Sequence, residues 1–306
     1  MSKHKPVLQK EAIDALKVKP KGIYIDATLG GGGHALRIIE KFKGEGTLLC
    51  IDLSANAIKA FKEVLTITGY EDKGEYLQSG KIKVYLENDN YGSLNSILSK
   101  YSLEKISGVL ADLGLSTDQI YEVPGVSYLG NTELDMRLNP DLKVTASDLL
   151  NGLFKNEMIN MFESLSDIDF AQALVKEIIA QRQEKPITTT KELKSIIQKV
   201  VPQQKRRGTK RNPEAKVFQA LRIAVNDELN SLRSFLPQAL EALSQKGRLV
   251  TISFHSGEDR VVKKFIKEKT EEDSIEIISK IIKPSTLEVK DNPRSASAKM
   301  RVIAKK

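Results

Sequence analysis

The stretch Asp26-Ala-Thr-Leu-Gly30-Gly-Gly-Gly-His34 sets a carboxylate four positions ahead of four consecutive glycines and ends on an imidazole. Glycines at the carboxyl end of a strand, opening a helix, leave the backbone clear for a ligand to lie against it. Asp52 ends the next apolar run, where an acid can accept hydrogen bonds from both hydroxyls of a ribose. A third acid, Asp112, ends a further apolar run and leads Asp112-Leu-Gly-Leu-Ser-Thr-Asp-Gln119. Many glycine runs are merely turns, but this one with its flanking acids points to a nucleoside cofactor. Gly30-x-Gly32-x-x-Ala35 also satisfies the dinucleotide fingerprint. A carboxylate at Asp26 would repel a pyrophosphate, whereas it can bind an α-ammonium directly or through water.

Asp112 has two possible roles, and the sequence leaves both open. It can bind the cofactor. It can also accept a hydrogen bond from an exocyclic amine, whose ring-delocalised lone pair becomes more available when its N–H is drawn upon. Cys50 is the single cysteine and sits mid-strand in Leu48-Leu-Cys-Ile51, where a buried, inert thiol is expected. That leaves no disulfide framework and no ready cysteine nucleophile. His4, His34 and His255 share no ligand spacing, so no metal site is expected.

The formal net charge is +8, from 48 Lys+Arg against 40 Asp+Glu. A basic balance favours an anionic partner, nucleic acid first. Lys205-Arg-Arg-Gly-Thr-Lys-Arg211 concentrates five basic residues in seven positions, either a solvated loop or a phosphate contact. No run of 18 apolar residues and no apolar leader is present, so a cytoplasmic chain with no membrane partner is expected.

These residues need a frame. Gly22 to Ala27, Gly46 to Asp52, Lys81 to Leu86 and Ile106 to Asp112 read as unbroken apolar strands, with helices at Ala35 to Phe42 and Ala55 to Leu65. Such alternation predicts a doubly wound α/β sheet. The next core strand, Gly247 to Phe254, comes about 130 residues after the fourth, far more than the dozen or so a crossover needs. The excess predicts a small all-helical domain inserted at 136–212, leaving 1–135 and 213–306 as the α/β domain. Within the insertion, Phe170 to Gln183 and Lys191 to Val200 have helical periodicity, with Ser147 and Thr190 as N-caps. One long helix is expected from Glu214 to about Phe235, striped by Phe218, Leu221, Val225, Leu229 and Leu232. Glu258 to Lys269 should be helical, and Glu276 to Ile282 should pair with Lys299 to Ala304 as closing strands.

Asp26-x-x-x-Gly30-x-Gly32 resembles motif I of the class I methyltransferases, with their Rossmann-like sheet, and favours S-adenosylmethionine over NAD. A longer set of segments is similar to the bacterial 16S ribosomal RNA (cytosine-N4) methyltransferases. They are His4-Lys-Pro-Val-Leu8, Asp26 to His34, Asp112-Leu-Gly-Leu-Ser116 with Gln119, Leu134-Asp-Met-Arg137 and Phe218-Gln-Ala-Leu-Arg-Ile223. Asn226-Asp-Glu-Leu229, Ser253-Phe-His-Ser256 with Glu258-Asp-Arg260, and Asn292-Pro-Arg294 with Ser297-Ala-Lys299 complete the set in the family's order.

The resemblance implies methylation of the exocyclic amine of one cytosine in 16S ribosomal RNA, taken as free RNA or as the small subunit, by a monomer or homodimer. It implies a cofactor site of Gly32, Gly33, His34, Asp52, Tyr91, Asp112 and Gln119, joined by Asp26, with Tyr91 packing on the adenine. Asp112, Ser116 and His255 are the candidate catalytic residues, and His255, Glu258, Asp259 and Arg260 should face the cleft and position the substrate. Gly257, Thr117-Asp118 and Pro124 depart from the family's usual residues. The rival readings are a DNA amino-methyltransferase, a noncatalytic RNA-binding factor and an NAD oxidoreductase. The first normally carries an Asp/Asn/Ser-Pro-Pro-Tyr/Phe motif where this chain has Asp112-Leu-Gly-Leu.

Overall fold

A computed structural model describes residues 5–115, 120–121, 123–201 and 212–306. The chain divides into two compact units, Met1–Ser116 with Leu229–Lys306, and Thr117–Glu228. Among the described residues no helix is long and apolar enough to cross a membrane.

The first unit is built on a nine-stranded sheet. Its strands are β1 (Ile23–Asp26), β2 (Glu45–Ile51), β3 (Glu71–Asp72), β4 (Leu77–Ser79), β5 (Lys81–Glu87), β6 (Ile106–Asp112), β7 (Leu243–Ser253), β8 (Ile275–Ile277) and β9 (Lys299–Lys305). Their order is β3-β4-β5-β2-β1-β6-β7-β9-β8. The central five, β5-β2-β1-β6-β7, are parallel, and β9 enters antiparallel against β7. Both faces are apolar because both are covered. Leu48, Cys50, Leu110 and Val250 pack under helices Gln9–Leu16, Gly33–Lys41 and Ala55–Ile67. The alternate residues Leu49, Ile51, Val109 and Leu249 pack under Leu94–Lys100, Glu228–Ala242 and Ser256–Glu271. This is the doubly wound, Rossmann-like class. The direction of strand succession reverses between β1 and β6, so their carboxyl ends open the crevice where ligands bind in such sheets.

The second unit packs helices Ala146–Gly152, Lys155–Ser166, Ala171–Glu184, Thr190–Val200 and Pro213–Val225 around Leu134, Phe162, Leu174, Ile178, Leu193 and Leu221. It is wider than 136–212, because Leu134 on one side and Val217, Phe218 and Leu221 on the other belong to the same core.

Three local expectations are corrected. The N-caps are Thr145 and Thr189, each closing a reciprocal box with an acid three residues on, Asp148 and Glu192. Ser147 instead donates to the Ile187 carbonyl from inside its helix, and Thr190 is fully buried as the first helical residue. The long helix from Glu214 is broken at Asn226 and Asp227, the latter at φ 49°. Asn226 turns its amide to Met136 and Leu138, accepting from the Leu138 N–H and donating to the Met136 carbonyl, both at 2.8 Å. The apolar stripe therefore serves two cores, Phe218 and Leu221 one, Leu232 the other. Of the segment Glu276 to Ile282 only Glu276 and Ile277 are strand, as the end of β8, and Ile282 makes a lone bridge to Met300.

Candidate active site

The glycine loop is strung between three strand ends. As β1 finishes, Ala27 N–H donates to the Leu110 carbonyl of β6, and Leu29 N–H to the Ile51 carbonyl of β2. Gly30 N–H then donates to Asp52 Oδ2 at 2.7 Å, while Asp52 Oδ1 accepts from Ser54 N–H at 2.8 Å. Asp52 thus fixes the loop through an amide on each carboxylate oxygen. Burial raises its pKa, against the two amides that favour its charge.

The glycines do not all serve a ligand. A Cβ on Gly32 (φ 75°) would lie 2.3 Å from the Phe61 ring, and one on Gly33 would lie 2.1 Å from Pro6 Cγ. These two are small because the protein itself fills the space, a packing role that glycine spacing does not disclose. Gly31 is exposed and Gly30, at φ 50°, is half-buried, and it is here that backbone is open.

Two carboxyls at the crevice are incompletely satisfied. Asp26 is fully buried; Oδ1 accepts from Thr28 N–H at 3.2 Å, and Oδ2 has no hydrogen-bond partner. Burial pushes its carboxyl up to about 7, against the Thr28 and Ala35 amides and with the Asp52 charge adding to the rise. Asp112 is positioned through its backbone, whose N–H donates to Thr28 Oγ1 at 2.7 Å. Its Oδ1 is buried without a hydrogen-bond partner and its Oδ2 lies 3.6 Å from His34 Nδ1. Burial, then the Asp26 and Glu258 charges, raise its carboxyl well above the usual range. Orphaned buried acceptors are costly unless something donates to them. Tyr91 stands beyond Asp52 in a 3-10 turn capped by Asn90, its ring packed edge-on against Phe235 at 5.1 Å.

The residues after β7 are tied into the fold. His255 is the N-cap of helix Ser256–Glu271: Nδ1 accepts from Gly257 N–H at 3.1 Å and Glu258 N–H at 3.4 Å. Glu258 Oε2 answers by accepting from Phe254 and His255 N–H. A side chain at Gly257 would come within 3.0 Å of the His255 ring. Asp259 bonds Lys299 at 2.8 Å and Arg301 at 2.9 Å, tying this helix to β9. His255→Ala should therefore cost about 0.5–2 kcal/mol of stability, the range for a lost N-cap, and His255→Asn should restore most of it. Thermal melts read both. A loss of methylation rate of 100-fold or more at saturating substrates would instead put the ring in the reaction.

Ser116, Gln119, Thr117-Asp118, His4 and the basic run Lys205 to Arg211 lie outside the described residues.

The family model described as the MraW methylase family matches residues 1–306. The chain belongs to the MraW methylase family. "Ribosomal RNA small subunit methyltransferase H" of Clostridium botulinum (strain Loch Maree / Type A3) is 37% identical over an alignment of 320 residues, covering 99% of both chains. The protein of the same name from Heliobacterium mobile is also 37% identical, over 99% of this chain and 98% of its own. That of Coxiella burnetii (strain Dugway 5J108-111) is 34% identical over 100% and 99%. As an MraW methylase the chain is a methyltransferase dependent on S-adenosylmethionine, with a class I sheet. The residues present fit that cofactor: an α-ammonium would supply the donor that Asp26 Oδ2 lacks, and the Asp52 carboxylate just past β2 is the acceptor chemistry that ribose hydroxyls require.

Proposed function

We propose that this methylase transfers a methyl group to the exocyclic N4 amine of one cytosine in small-subunit ribosomal RNA, in the cytoplasm. The cofactor supplies a sulfonium-activated methyl group, so the protein's task is mainly alignment. Asp26 holds the α-ammonium, Asp52 the ribose, and Gly30 to Gly33 with His34 the wall between them. Tyr91 and Gln119 are assigned to the adenosine side, and Ser116 to the reacting groups.

The observation that carries the reading is the unpartnered Asp112 Oδ1 at the β1/β6 crevice. It is an acceptor kept dry and in need of a donor, which an amine N–H supplies. Cys50 supports an amine over a ring carbon, since its thiol is fully buried in β2 and burial pushes its pKa up. The helical unit and the basic run Lys205 to Arg211 are assigned to the RNA backbone. The target base is extruded into the crevice, because its amine is shielded while paired and stacked.

Mass mapping of small-subunit RNA incubated with and without the chain should reveal one added methyl on one cytosine amine. No added methyl, or one on a ring carbon, would sink the reading. Calorimetry should show S-adenosylmethionine bound and NAD not. Asp52→Ala should weaken the cofactor by about 1.5–3 kcal/mol, the range for hydrogen bonds to a charged group. An unchanged affinity would remove Asp52 from the site.

A further inference from the structure

His34 is buried, and its ring is held from two sides. Nε2 lies 3.2 Å from the Val7 carbonyl oxygen and Nδ1 lies 3.6 Å from Asp112 Oδ2. The Val7 carbonyl is itself fixed. Pro6 packs on Gly33, Leu8 N–H donates to Glu288 Oε1 at 2.7 Å, and Gln9 Nε2 donates to the Gly33 carbonyl at 2.7 Å. A carbonyl can only accept, so Nε2 carries a proton. Nδ1 then faces Asp112 with a lone pair or with a second proton. A lone pair against a buried carboxylate oxygen is repulsive, so one proton lies between them: either Asp112 is neutral and donates to Nδ1, or Nδ1 carries the proton and Asp112 the charge.

The other ionisable groups facing Asp112 among the described residues are Asp26 at the end of β1 and Glu258 at the start of helix Ser256–Glu271, and both oppose its charge. Burial opposes it too. A neutral Asp112 would be a poor acceptor for an amine.

We propose that His34 is a positioning residue that carries a proton on each ring nitrogen and thereby keeps Asp112 ionised, with Oδ1 turned to the target amine. This rests on the reading that Asp112 accepts that amine's hydrogen bond. As the N–C bond forms and the S–C bond breaks, the sulfonium charge passes to the base. The amine proton leaves to Asp112 Oδ1, giving a neutral methylated amine and a neutral carboxyl. His34 keeps its protons throughout, and Asp112 sheds its own to solvent when product leaves.

Single-turnover methylation of small-subunit RNA at saturating cofactor, followed against pH, tests the assignment. Asparagine at position 34 can place an amide where Nδ1 was but cannot carry the charge. Asp112 should then protonate at higher pH, moving the acidic limb of the profile upward. At about pH 6 the His34→Asn rate should fall at least about tenfold below wild type, the change expected for each unit the limb moves. The gap should narrow as the pH rises and Asp112 ionises in the variant as well. A profile parallel to wild type at every pH would overturn the proposal, since a packing defect slows the reaction at all pH alike. Asp112→Asn separates the two levels. If it keeps the wild-type rate, the reading of Asp112 falls and the role of His34 with it; if it is slow while His34→Asn runs parallel to wild type, only His34 is misassigned.

Nitrogen-15 spectra of the intact chain make the test independent of whether a variant at position 34 folds. The His34 ring should be doubly protonated at about pH 7.5 in the wild type and singly protonated in Asp112→Asn. A singly protonated ring in the wild type overturns the proposal.

Discussion

Asp112→Asn should slow the methyl-transfer step of the fully loaded enzyme by about 10²–10⁴-fold, the scale of positioned acid–base help. That corresponds to about 2.7–5.5 kcal/mol of barrier. Asparagine preserves the shape and the backbone bond from position 112 to Thr28 Oγ1, so the strand end should stay where it is. What changes is the acceptor: a carboxylate oxygen without a partner becomes an amide that is a weaker acceptor and cannot take the amine's proton. Single-turnover rates at saturating cofactor isolate this step from cofactor affinity, which calorimetry with the demethylated product measures separately. If Asp112 serves the cofactor alone, the cofactor KM rises and the saturated rate stays within a few-fold of wild type.

Gly32→Ala should be the most damaging small change in the glycine loop. Two costs add there. The residue sits at φ 75°, where a side chain costs about 1–2 kcal/mol. The new methyl would also stand 2.3 Å from the Phe61 ring, an overpacking worth about 1–3 kcal/mol. The protein should lose about 2–5 kcal/mol, and its melting temperature should drop on the order of 10 °C. Cofactor affinity should fall as well, because the loop relieves the clash by moving off Asp52. Gly44→Ala is the control, since Gly44 has φ 100° and open space around it. It should show the backbone cost alone. Equal losses in the two variants would mean that Phe61 yields freely and that the loop is not held by packing.

Most of the α/β frame was legible because its signals are local. β6 begins and ends where its apolar run does, and the acids that close β1 and β6 and follow β2 fall at one edge because parallel strands in register bring their carboxyl ends together. What was hidden depends on partners far along the chain. Phe61 and Pro6 explain Gly32 and Gly33, yet nothing in a run of four glycines says which are small for a ligand and which for a neighbour. The periodic stripe from Phe218 to Leu232 hid a break, because helical spacing persists across Asn226 while the core it serves changes. His255 looked chemical by residue type, and its ring nitrogen turned out to cap a helix. Glu258 and Asp259 beside it hold the same helix start and β9.

β6 lies between β1 and β7, and its two neighbours are made at very different times. β1 precedes it on the ribosome, but β7 begins only about 130 residues later, after the whole helical unit. At about 5–20 residues per second, one edge of β6 waits roughly 7–26 s for its partner. During that wait an apolar strand offers unpaired amides and carbonyls to any other nascent chain. The helical unit, contiguous in sequence, can close its own core meanwhile. Chaperone dependence during synthesis should therefore be governed by the length of the insertion, and shortening it should raise the soluble yield without touching the crevice.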